Sequence, residues 1–344
     1  APRRLVVVRL WPVVRHADRC QRDLAQITGA CAAAAADGWI AVRVQLLIHA
    51  DTPGARGVSG EVECVLAANA ILGEGPVWDP LEECLYWIDI KRPALYRYEP
   101  RRGQTGVWLL PRPVGCATPA ADGRILLADA DGFAWLDPAD GRLTRIADPE
   151  PEHPENRFND GKVDRAGRFW AGTLYEHEIR EAGSLYRLNR DLTITRWVSG
   201  LTCPNGIGWS PDNRTLYFTD SMARTVWAHE YDFASGDLGP RRVFAELDPS
   251  DGVPDGLTVD SEGCVWSVVW DGWRVIRYRP DGTIEREIRL PVQRPTSCMF
   301  GGADLETLYV TSASVGLENA PLAGGLFAVR TGVKGLPETR FGFQ

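Results

Sequence analysis

Oxygen-bearing side chains recur at four short corners of the sequence, each followed within a residue by glycine. Carboxylate and amide oxygens are the ligands that hard divalent cations prefer. Asp-Gly and Asn-Gly pairs are also ordinary turn signals, so one such corner alone would indicate only a turn. Four corners at the same place in a repeating unit indicate a metal site. The candidate side chains are Glu74, Asp160, Asn205 and Asp255.

A repeat of short strands positions these corners. From residue 61 onward, each unit has an apolar strand with an aromatic residue, a polar turn and a second apolar strand, as in residues 85–98. The period, about 40 to 50 residues, is that of a four-stranded propeller blade. Six such units predict an all-β protein, a six-bladed β-propeller with four-stranded blades. A β-sandwich of similar strand content is the alternative, although a sandwich does not require a regular repeat.

The repeat also divides the chain. Residues 61–66 precede the first unit, and we expect them to supply the outer strand of the last blade, which would close the ring and remove a free sheet edge. The predicted propeller domain is therefore 61–335, followed by a C-terminal tail at 336–344. Residues 1–60 do not follow the repeat, and a loosely ordered extension, a short helix and a gene-start artefact all remain open for them.

The predicted fold brings the corners together. The innermost strands of a propeller run along its central axis, so equivalent positions at their starts form a ring at one mouth of the channel. Carboxylates gathered there without a cation would repel one another and raise one another's pKa. The sequence therefore predicts a site for a hard cation at this mouth. The neighbouring Trp78 and Trp209 are expected in the core between blades.

Composition narrows the class of protein. The net charge of −8 over 344 residues argues against nucleic-acid binding, which needs a surplus of Lys and Arg. No apolar run is long enough to span a membrane, and Arg9 and Arg15 interrupt the apolar start, which argues against a signal peptide. Eight cysteines without a Cys-x-x-Cys pair indicate free thiols, so a cytoplasmic location is expected. We expect a monomer or a small homo-oligomer.

The same corners resemble the gluconolactonase, regucalcin (senescence marker protein) and luciferin-regenerating-enzyme-like family. The resemblance covers roughly residues 61 to 335, and its most specific segments are 72–76, 156–162, 204–206, 254–256 and 296–302. It implies a six-bladed propeller whose three protein ligands to one divalent cation are Glu74, Asn205 and Asp255. The cation could be Ca, Zn, Mg, Mn or Fe(II).

The resemblance also implies substrate-binding residues. The family's substrate-contacting Arg and Asn correspond to Arg157 and Asn159. Where regucalcin has a further substrate-binding Glu, the aligned residue here is His177, with Glu176 just before it. This departure leaves the identity of the sugar open.

The resemblance implies hydrolysis of a small-molecule sugar-acid lactone, such as glucono-, xylono-, arabinono- or galactonolactone, to the free aldonic acid. The cation would polarise the carbonyl, and Asp255 is the candidate general base. Because a metal-bound carboxylate is a poor base, metal-bound hydroxide is the alternative. Two other functions remain open: a calcium-binding regulatory or scaffold propeller without turnover, and a propeller esterase or phosphotriesterase.

Overall fold

The structure, a computed structural model, describes residues 60–317 and 319–342, together with the backbone of residues 8–10 and 42–47. Apart from one 3₁₀ turn at Pro249–Asp251, every regular element in these residues is a β-strand. They contain no helix with the length and apolarity needed to cross a membrane. The remainder of the predicted N-terminal extension lies outside the described residues.

The strands form six sheets, and each sheet is one blade of a ring. Three strands come before the first complete blade: β1 (Val8–Leu10), β2 (Val42–Leu47) and β3 (Val62–Leu66). Blade 1 contains β4 (Gly73–Asp79), β5 (Cys84–Asp89), β6 (Ala94–Glu99) and β7 (Gln104–Leu109). Blade 2 contains β8 (Val114–Pro119), β9 (Ile125–Asp129), β10 (Gly132–Leu136) and β11 (Leu143–Ala147). Blade 3 contains β12 (Asn156–Val163), β13 (Phe169–Tyr175), β14 (Gly183–Leu188) and β15 (Ile194–Leu201).

The second half of the ring repeats this arrangement. Blade 4 contains β16 (Pro204–Trp209), β17 (Thr215–Asp220), β18 (Thr225–Tyr231) and β19 (Leu238–Glu246). Blade 5 contains β20 (Val253–Val259), β21 (Val265–Trp270), β22 (Arg274–Tyr278) and β23 (Ile284–Arg289). Blade 6 contains β24 (Pro295–Gly301), β25 (Thr307–Ser312) and β26 (Leu326–Arg330). The inner strands β4, β8, β12, β16, β20 and β24 each contact the next one around the ring. The predicted six-bladed β-propeller is confirmed.

Ring closure follows the sequence prediction. Strand β3 pairs antiparallel with β26, so the strand that precedes blade 1 becomes the outer strand of blade 6. Blade 1 carries two additional strands, because β2 pairs antiparallel with β7 and β1 pairs parallel with β2. The sheet of blade 1 therefore has six strands, whereas the other five sheets have four.

Aromatic side chains fill the space between neighbouring blades. Trp78 of blade 1 stacks on Tyr309 of blade 6 with ring centroids 6.0 Å apart. Trp209 of blade 4 meets Trp170 of blade 3 edge to face, with ring centroids 6.5 Å apart. Both Trp78 and Trp209 are buried, so their predicted place in the inter-blade core is confirmed. Burial of apolar surface between successive blades makes the ring one cooperative unit.

Buried aspartates anchor the turns at the opposite mouth of the channel. Asp260 accepts hydrogen bonds from the backbone N–H groups of Glu262 and Cys264. It also accepts from Trp266 Nε1 and Arg277 Nε, each at 2.8 Å. Because its lone pairs and its charge are all partnered, this fully buried carboxylate is compatible with folding. Asp164 and Trp170 repeat the arrangement in blade 3 at the same spacing.

The C-terminal segment crosses that opposite mouth. Gly335 forms a β-bridge with Asp260 of blade 5, and Phe341 forms one with Ala120 of blade 2. Arg340 pairs with Asp79 of blade 1 at 2.5 Å. Residues 336–339 line a cavity of about 20 Å³ together with the ends of the inner strands of blades 3, 4 and 5. A volume of this size holds about one water molecule, so this end of the channel is closely packed.

Ring closure can be tested by two truncations. A chain that begins at Gly60 keeps β3, whereas a chain that begins at Ala67 leaves the edge of β26 unpaired. We expect the shorter chain to melt lower by about 10 °C or more and to aggregate through the exposed edge. Thermal unfolding and size-exclusion chromatography measure both effects. Equal melting temperatures for the two chains would contradict the closing role of β3.

Candidate metal centre

A β-bulge interrupts every inner strand at the same level of the ring. The pairing register shifts between Glu74 and Val77 in β4, between Asn205 and Ile207 in β16, and between Pro254 and Leu257 in β20, and β8, β12 and β24 have equivalent shifts. The predicted corners are therefore bulges inside the inner strands rather than turns before them. A bulge re-aims the side chains that it contains, which allows neighbouring residues on one strand to face the channel.

The glycines of these corners allow the inner strands to approach one another. A Cβ atom on Gly206 would lie 2.7 Å from the carbonyl oxygen of Asp255. A Cβ atom on Gly256 would lie 2.0 Å from Ser297 Oγ in blade 6. Both distances are too short for a side chain. Gly206 and Gly256 are therefore required by the close approach of the inner strands, whereas Gly75 is favoured by its positive φ of 53°.

Three carboxylates are buried in this ring. The exposed fractions are 6% for Glu74, 9% for Asp160 and 5% for Asp255. Glu74 accepts one hydrogen bond from the N–H of Gly75 at 2.9 Å, and Asp160 accepts one from the N–H of Gly161 at 2.7 Å. The carboxylate of Asp255 has no donor among the described residues. None of the three forms an ion pair with a described residue.

Burial raises the pKa of all three carboxyl groups, and neighbouring negative charge raises the pKa of Glu74 and Asp255 further. Burial, followed by the charge of Asp160, raises the pKa of Glu74 to about 8, against a smaller opposing effect from Arg157. Burial, followed by the charges of Glu74 and Asp160, raises the pKa of Asp255 well above its usual range. Burial also raises the pKa of Asp160. Charges that affect one another in this way lie around one space, and oxygens that lack proton donors fit a divalent cation.

Asn205 joins this group through hydrogen bonds that fix its orientation. Its Nδ2 donates to Ser221 Oγ at 2.8 Å, which leaves Oδ1 on the other side of the amide. Asn159 Nδ2 donates to this oxygen at 2.8 Å and to the carbonyl of Pro204 at 2.9 Å. An amide oxygen has a second lone pair, so Asn205 can still serve as a ligand.

Arg157 extends the same network toward the mouth. Its Nη1 donates to Asn159 Oδ1 at 2.9 Å and to the carbonyl of Phe158 at 3.0 Å. Its Nε donates to Glu176, whose other oxygen lies 3.8 Å from Lys91 Nζ. The Nη2 atom of Arg157 has no partner among the described residues, although the side chain is 95% buried. A fixed guanidinium with one free edge is suited to hydrogen-bond a ligand.

The predicted substrate residues are only partly brought together. Arg157, Asn159 and Glu176 form one connected network. His177 is exposed, and its ring packs against Tyr175 with centroids 5.3 Å apart. It has no hydrogen bond or ion pair with any described residue. A substrate contact by His177 stays a prediction, and Glu176 is the residue of this pair that touches Arg157.

Two aspartates hold the segments that precede β4 and β16, the strands that carry Glu74 and Asn205. The sequence analysis did not name either aspartate as a site residue. Asp220 accepts from the N–H groups of Thr202 and Cys203, at 3.3 and 3.1 Å, just before Asn205. Asp89 accepts from the N–H groups of the two residues before Gly73 in the same way. The sequence did contain a signal for this role, because the second strand of the repeating unit ends with an Asp at positions 89, 129 and 220.

A different acidic group lies at the other end of β4. Asp79, Glu82 and Cys84 have potential ligand atoms within 4.8 Å of one another. Arg340 lies 2.5 Å from Asp79, and Arg97 lies 2.9 Å from Glu82. The positive charge that this group needs is already supplied by two guanidinium groups. We therefore assign it to ion pairing rather than to metal binding.

The chain is similar to known proteins over most of its length. The sequence profile of the SMP-30/Gluconolactonase/LRE-like region matches residues 72–314. Regucalcin of Gallus gallus is 38% identical over 296 residues, which cover 82% of this chain and 99% of the relative. The 6-deoxy-6-sulfogluconolactonase of Pseudomonas putida is 38% identical over 287 residues, with 81% and 98% covered. The solved structure of a calcium-binding protein, regucalcin, from Agrobacterium tumefaciens has a TM-score of 0.79 at 30% identity, with 82% and 97% covered.

The carboxylate cluster predicts how stability depends on pH without a cation. The folded-state pKa of Glu74 is about 8, against an ordinary value of 4.5, so its stabilising contribution is complete below pH 4.5 and is lost as the pH rises through 8. In chelator, the free energy of unfolding should fall over this range relative to the Glu74→Gln variant, by up to about 1.4 kcal/mol per pH unit. Urea unfolding of both proteins measures the difference. Parallel pH profiles would show that Glu74 is not buried among like charges.

Proposed function

The chain belongs to the SMP-30/Gluconolactonase/LRE-like family, and we propose on this basis that it hydrolyses a sugar-acid lactone with the help of one divalent cation. The observation that carries the proposal is the ring of buried carboxylates without cationic partners beside the Arg157–Asn159–Asn205 network. The ring offers oxygen ligands to a cation, and the network offers hydrogen-bond donors to a polar substrate.

The substrate class follows from the relatives and from the polarity of the site. The relative from Pseudomonas putida is named for a lactone of a sulfonated sugar acid, and the family is named in part for gluconolactone. Arg157, Asn159 and Glu176 provide both donors and acceptors, which suits the hydroxyl groups of a sugar. We propose an aldonolactone as substrate and the free aldonic acid as product.

Glu74, Asn205 and Asp255 would hold the cation, because they bring two carboxylates and one oriented amide oxygen from blades 1, 4 and 5. When bound, the cation supplies Lewis-acid polarisation of the lactone carbonyl. The cation also supplies the positive charge that allows both carboxylates to remain ionised at neutral pH. Calcium, zinc, magnesium, manganese and ferrous iron all accept oxygen ligands, so the choice among them rests on experiment.

The protein's own side chains then carry out the remaining steps. Asp255 has a carboxylate without a hydrogen-bond donor, so it can accept the proton of the attacking water. Arg157 directs its free Nη2 edge at the substrate, while Glu176 and Asn159 keep the guanidinium plane fixed. Orientation of the ring hydroxyls in this way places the carbonyl carbon for attack and lowers the entropic part of the barrier.

A calcium-binding propeller without turnover is the second candidate. The regucalcin structure from Agrobacterium tumefaciens is described as calcium-binding, and the same ligand set would serve that role. The buried Arg157 with a free edge favours a substrate site, because binding of an ion alone does not require an oriented guanidinium beside it.

The function can be tested with metal-stripped protein. One ion at a time, from Ca, Mg, Mn, Zn and Fe(II), is added back, and hydrolysis of several aldonolactones is followed with a pH indicator. We expect Asp255→Asn to lower kcat by about a hundredfold or more, since it removes both a ligand charge and the proton acceptor. Asp281→Asn, an exposed turn residue of the same blade, is the matched control. Turnover without added metal, or full activity of the Asp255 variant, would refute the proposal.

Arg157 provides a separate test of the substrate site. Arg157→Lys keeps the charge but loses the planar, forked donor geometry. We expect KM for the lactone to rise by about tenfold or more, because a fixed hydrogen bond to the substrate is lost. Cation affinity, measured by competition with a fluorescent chelator, should change little. An unchanged KM would place Arg157 outside the substrate contacts.

A further inference from the structure

A buried lysine crosses the channel beneath the carboxylates. Lys162 lies on β12, two residues after Asp160, and is only 9% exposed. Its Nζ donates to the carbonyl of Leu257 at 3.2 Å. Leu257 belongs to β20 of blade 5 and follows Asp255 by two residues. The side chain therefore reaches from blade 3 to blade 5, past the inner strand of the blade between them.

Gly206 and Gly208 on the intervening strand β16 let these strands come together. A Cβ atom on Gly206 would lie 2.7 Å from the backbone nitrogen of Leu257, and one on Gly208 would lie 2.9 Å from Leu257 Cδ1. The inner strand of blade 4 thus packs directly on the backbone that Lys162 binds. The hydrogen bond from Lys162 to Leu257 therefore fixes the position of β20, which carries Asp255, along the channel axis relative to β12, which carries Asp160.

The ammonium group has no ordinary ion-pair partner. No carboxylate of a described residue lies within ion-pairing distance of Lys162, and Leu257 supplies its one hydrogen-bond acceptor among them. A buried ammonium in this condition is costly unless opposite charge lies nearby. Asp160, two residues away on the same strand, is also buried, and although burial raises its pKa, the charge of Lys162 is the largest influence that lowers it.

The position of Lys162 keeps this charge away from solvent. It lines the cavity of about 20 Å³ on the far side of the channel, where residues 336–339 of the C-terminal segment form the opposite wall. Its charge also lowers the pKa of Cys298 in blade 6, against the larger raising effect of burial. Lys162 is therefore a fixed internal cation close to the channel axis.

We propose that Lys162 is a positioning residue of the metal centre: its ammonium ties the strand that carries Asp160 to the strand that carries Asp255 before a cation binds, and its charge weakens the binding of that cation. The inference rests on the proposed function. Both effects come from one ammonium group, because its hydrogen bond to Leu257 joins the two strands and its fixed positive charge repels a divalent cation near the channel axis. A lysine with a purely structural role would produce only a loss of stability and a loss of cation affinity.

The Lys162→Met variant distinguishes these roles, since it keeps an unbranched side chain one atom shorter and removes the charge. In chelator at pH 8, we expect it to melt below the wild type. With Ca²⁺ as the probe ion, we expect its Kd, measured by competition with a fluorescent chelator, to be about tenfold lower than that of the wild type. The difference in melting temperature should therefore shrink at saturating Ca²⁺.

Two further variants complete the experiment. Lys162→Arg keeps the charge, so we expect Ca²⁺ affinity close to that of the wild type. Lys334→Met removes an exposed lysine charge near the C-terminal segment and should change neither quantity. If Lys162→Met does not fold in chelator, Lys162→Gln replaces it, because Gln keeps a donor without the charge.

The outcomes separate this inference from the proposed function. If the wild-type protein binds none of the divalent cations, the proposed function itself is refuted. A wild type that binds Ca²⁺, with Kd unchanged or higher in the uncharged Lys162 variants, overturns the positioning role and leaves the metal centre intact. A lower Kd together with a lower melting temperature in chelator supports the inference.

Discussion

The burial of like charges around one axis is the constraint on which the rest of this propeller depends. At an effective dielectric constant of about 20, two unit charges a few ångströms apart repel by about 4 kcal/mol. The net stability of a folded domain is only about 5 to 15 kcal/mol. Ionised carboxylates buried in this ring without compensation would therefore reduce the stability, and neighbouring negative charge raises the pKa of Glu74 and Asp255 accordingly. Two backbone N–H groups and a distant ammonium reduce this cost, and a divalent cation would remove most of it.

The remainder of the fold keeps these charges from moving apart. Side chains that repel one another can relax if their strands slide, so the strands must be held at several points. The inter-blade aromatic core holds them laterally, and Asp89 and Asp220 bind the backbone just before the ligand strands of blades 1 and 4. Gly206 and Gly256 set the spacing, because any larger residue would push adjacent inner strands apart. The inter-blade core, the two aspartates and the glycines therefore hold the carboxylate ring in place, although none of them belongs to the ring.

Much of this could be predicted from the sequence, and the limits have physical reasons. The repeat predicted the blades and the closing strand 61–66, because strand alternation and period are local properties. The sequence also predicted that Glu74, Asp160, Asn205 and Asp255 lie at equivalent places on different inner strands, and the structure has them there; their role as metal ligands stays a prediction. It did not distinguish a turn from a β-bulge at Asp255, because both use Asp-Gly and the difference lies in the pairing of a neighbouring strand.

Some residues have partners that lie far away in the sequence, and the roles of these residues could not be predicted from the sequence. Lys162 has the appearance of an ordinary polar residue on an alternating strand, and only the ring geometry places its ammonium against a carbonyl two blades away. The same is true of Arg340, whose partner Asp79 belongs to the first blade. His177 was placed at the substrate by alignment alone; its ring packs on Tyr175, and a substrate contact by His177 stays a prediction.

The closing strand has a consequence for how the protein must be made. Strand β3 is translated before any complete blade, yet its partner β26 is the last strand of the ring to be translated. During synthesis the apolar residues of β3 therefore remain unpaired while five blades are translated. A topology dominated by such distant pairings folds slowly and leaves an open edge exposed until the end. Blade 1 packs against blade 6, so the environment of Glu74 is complete only after almost the whole propeller has been translated.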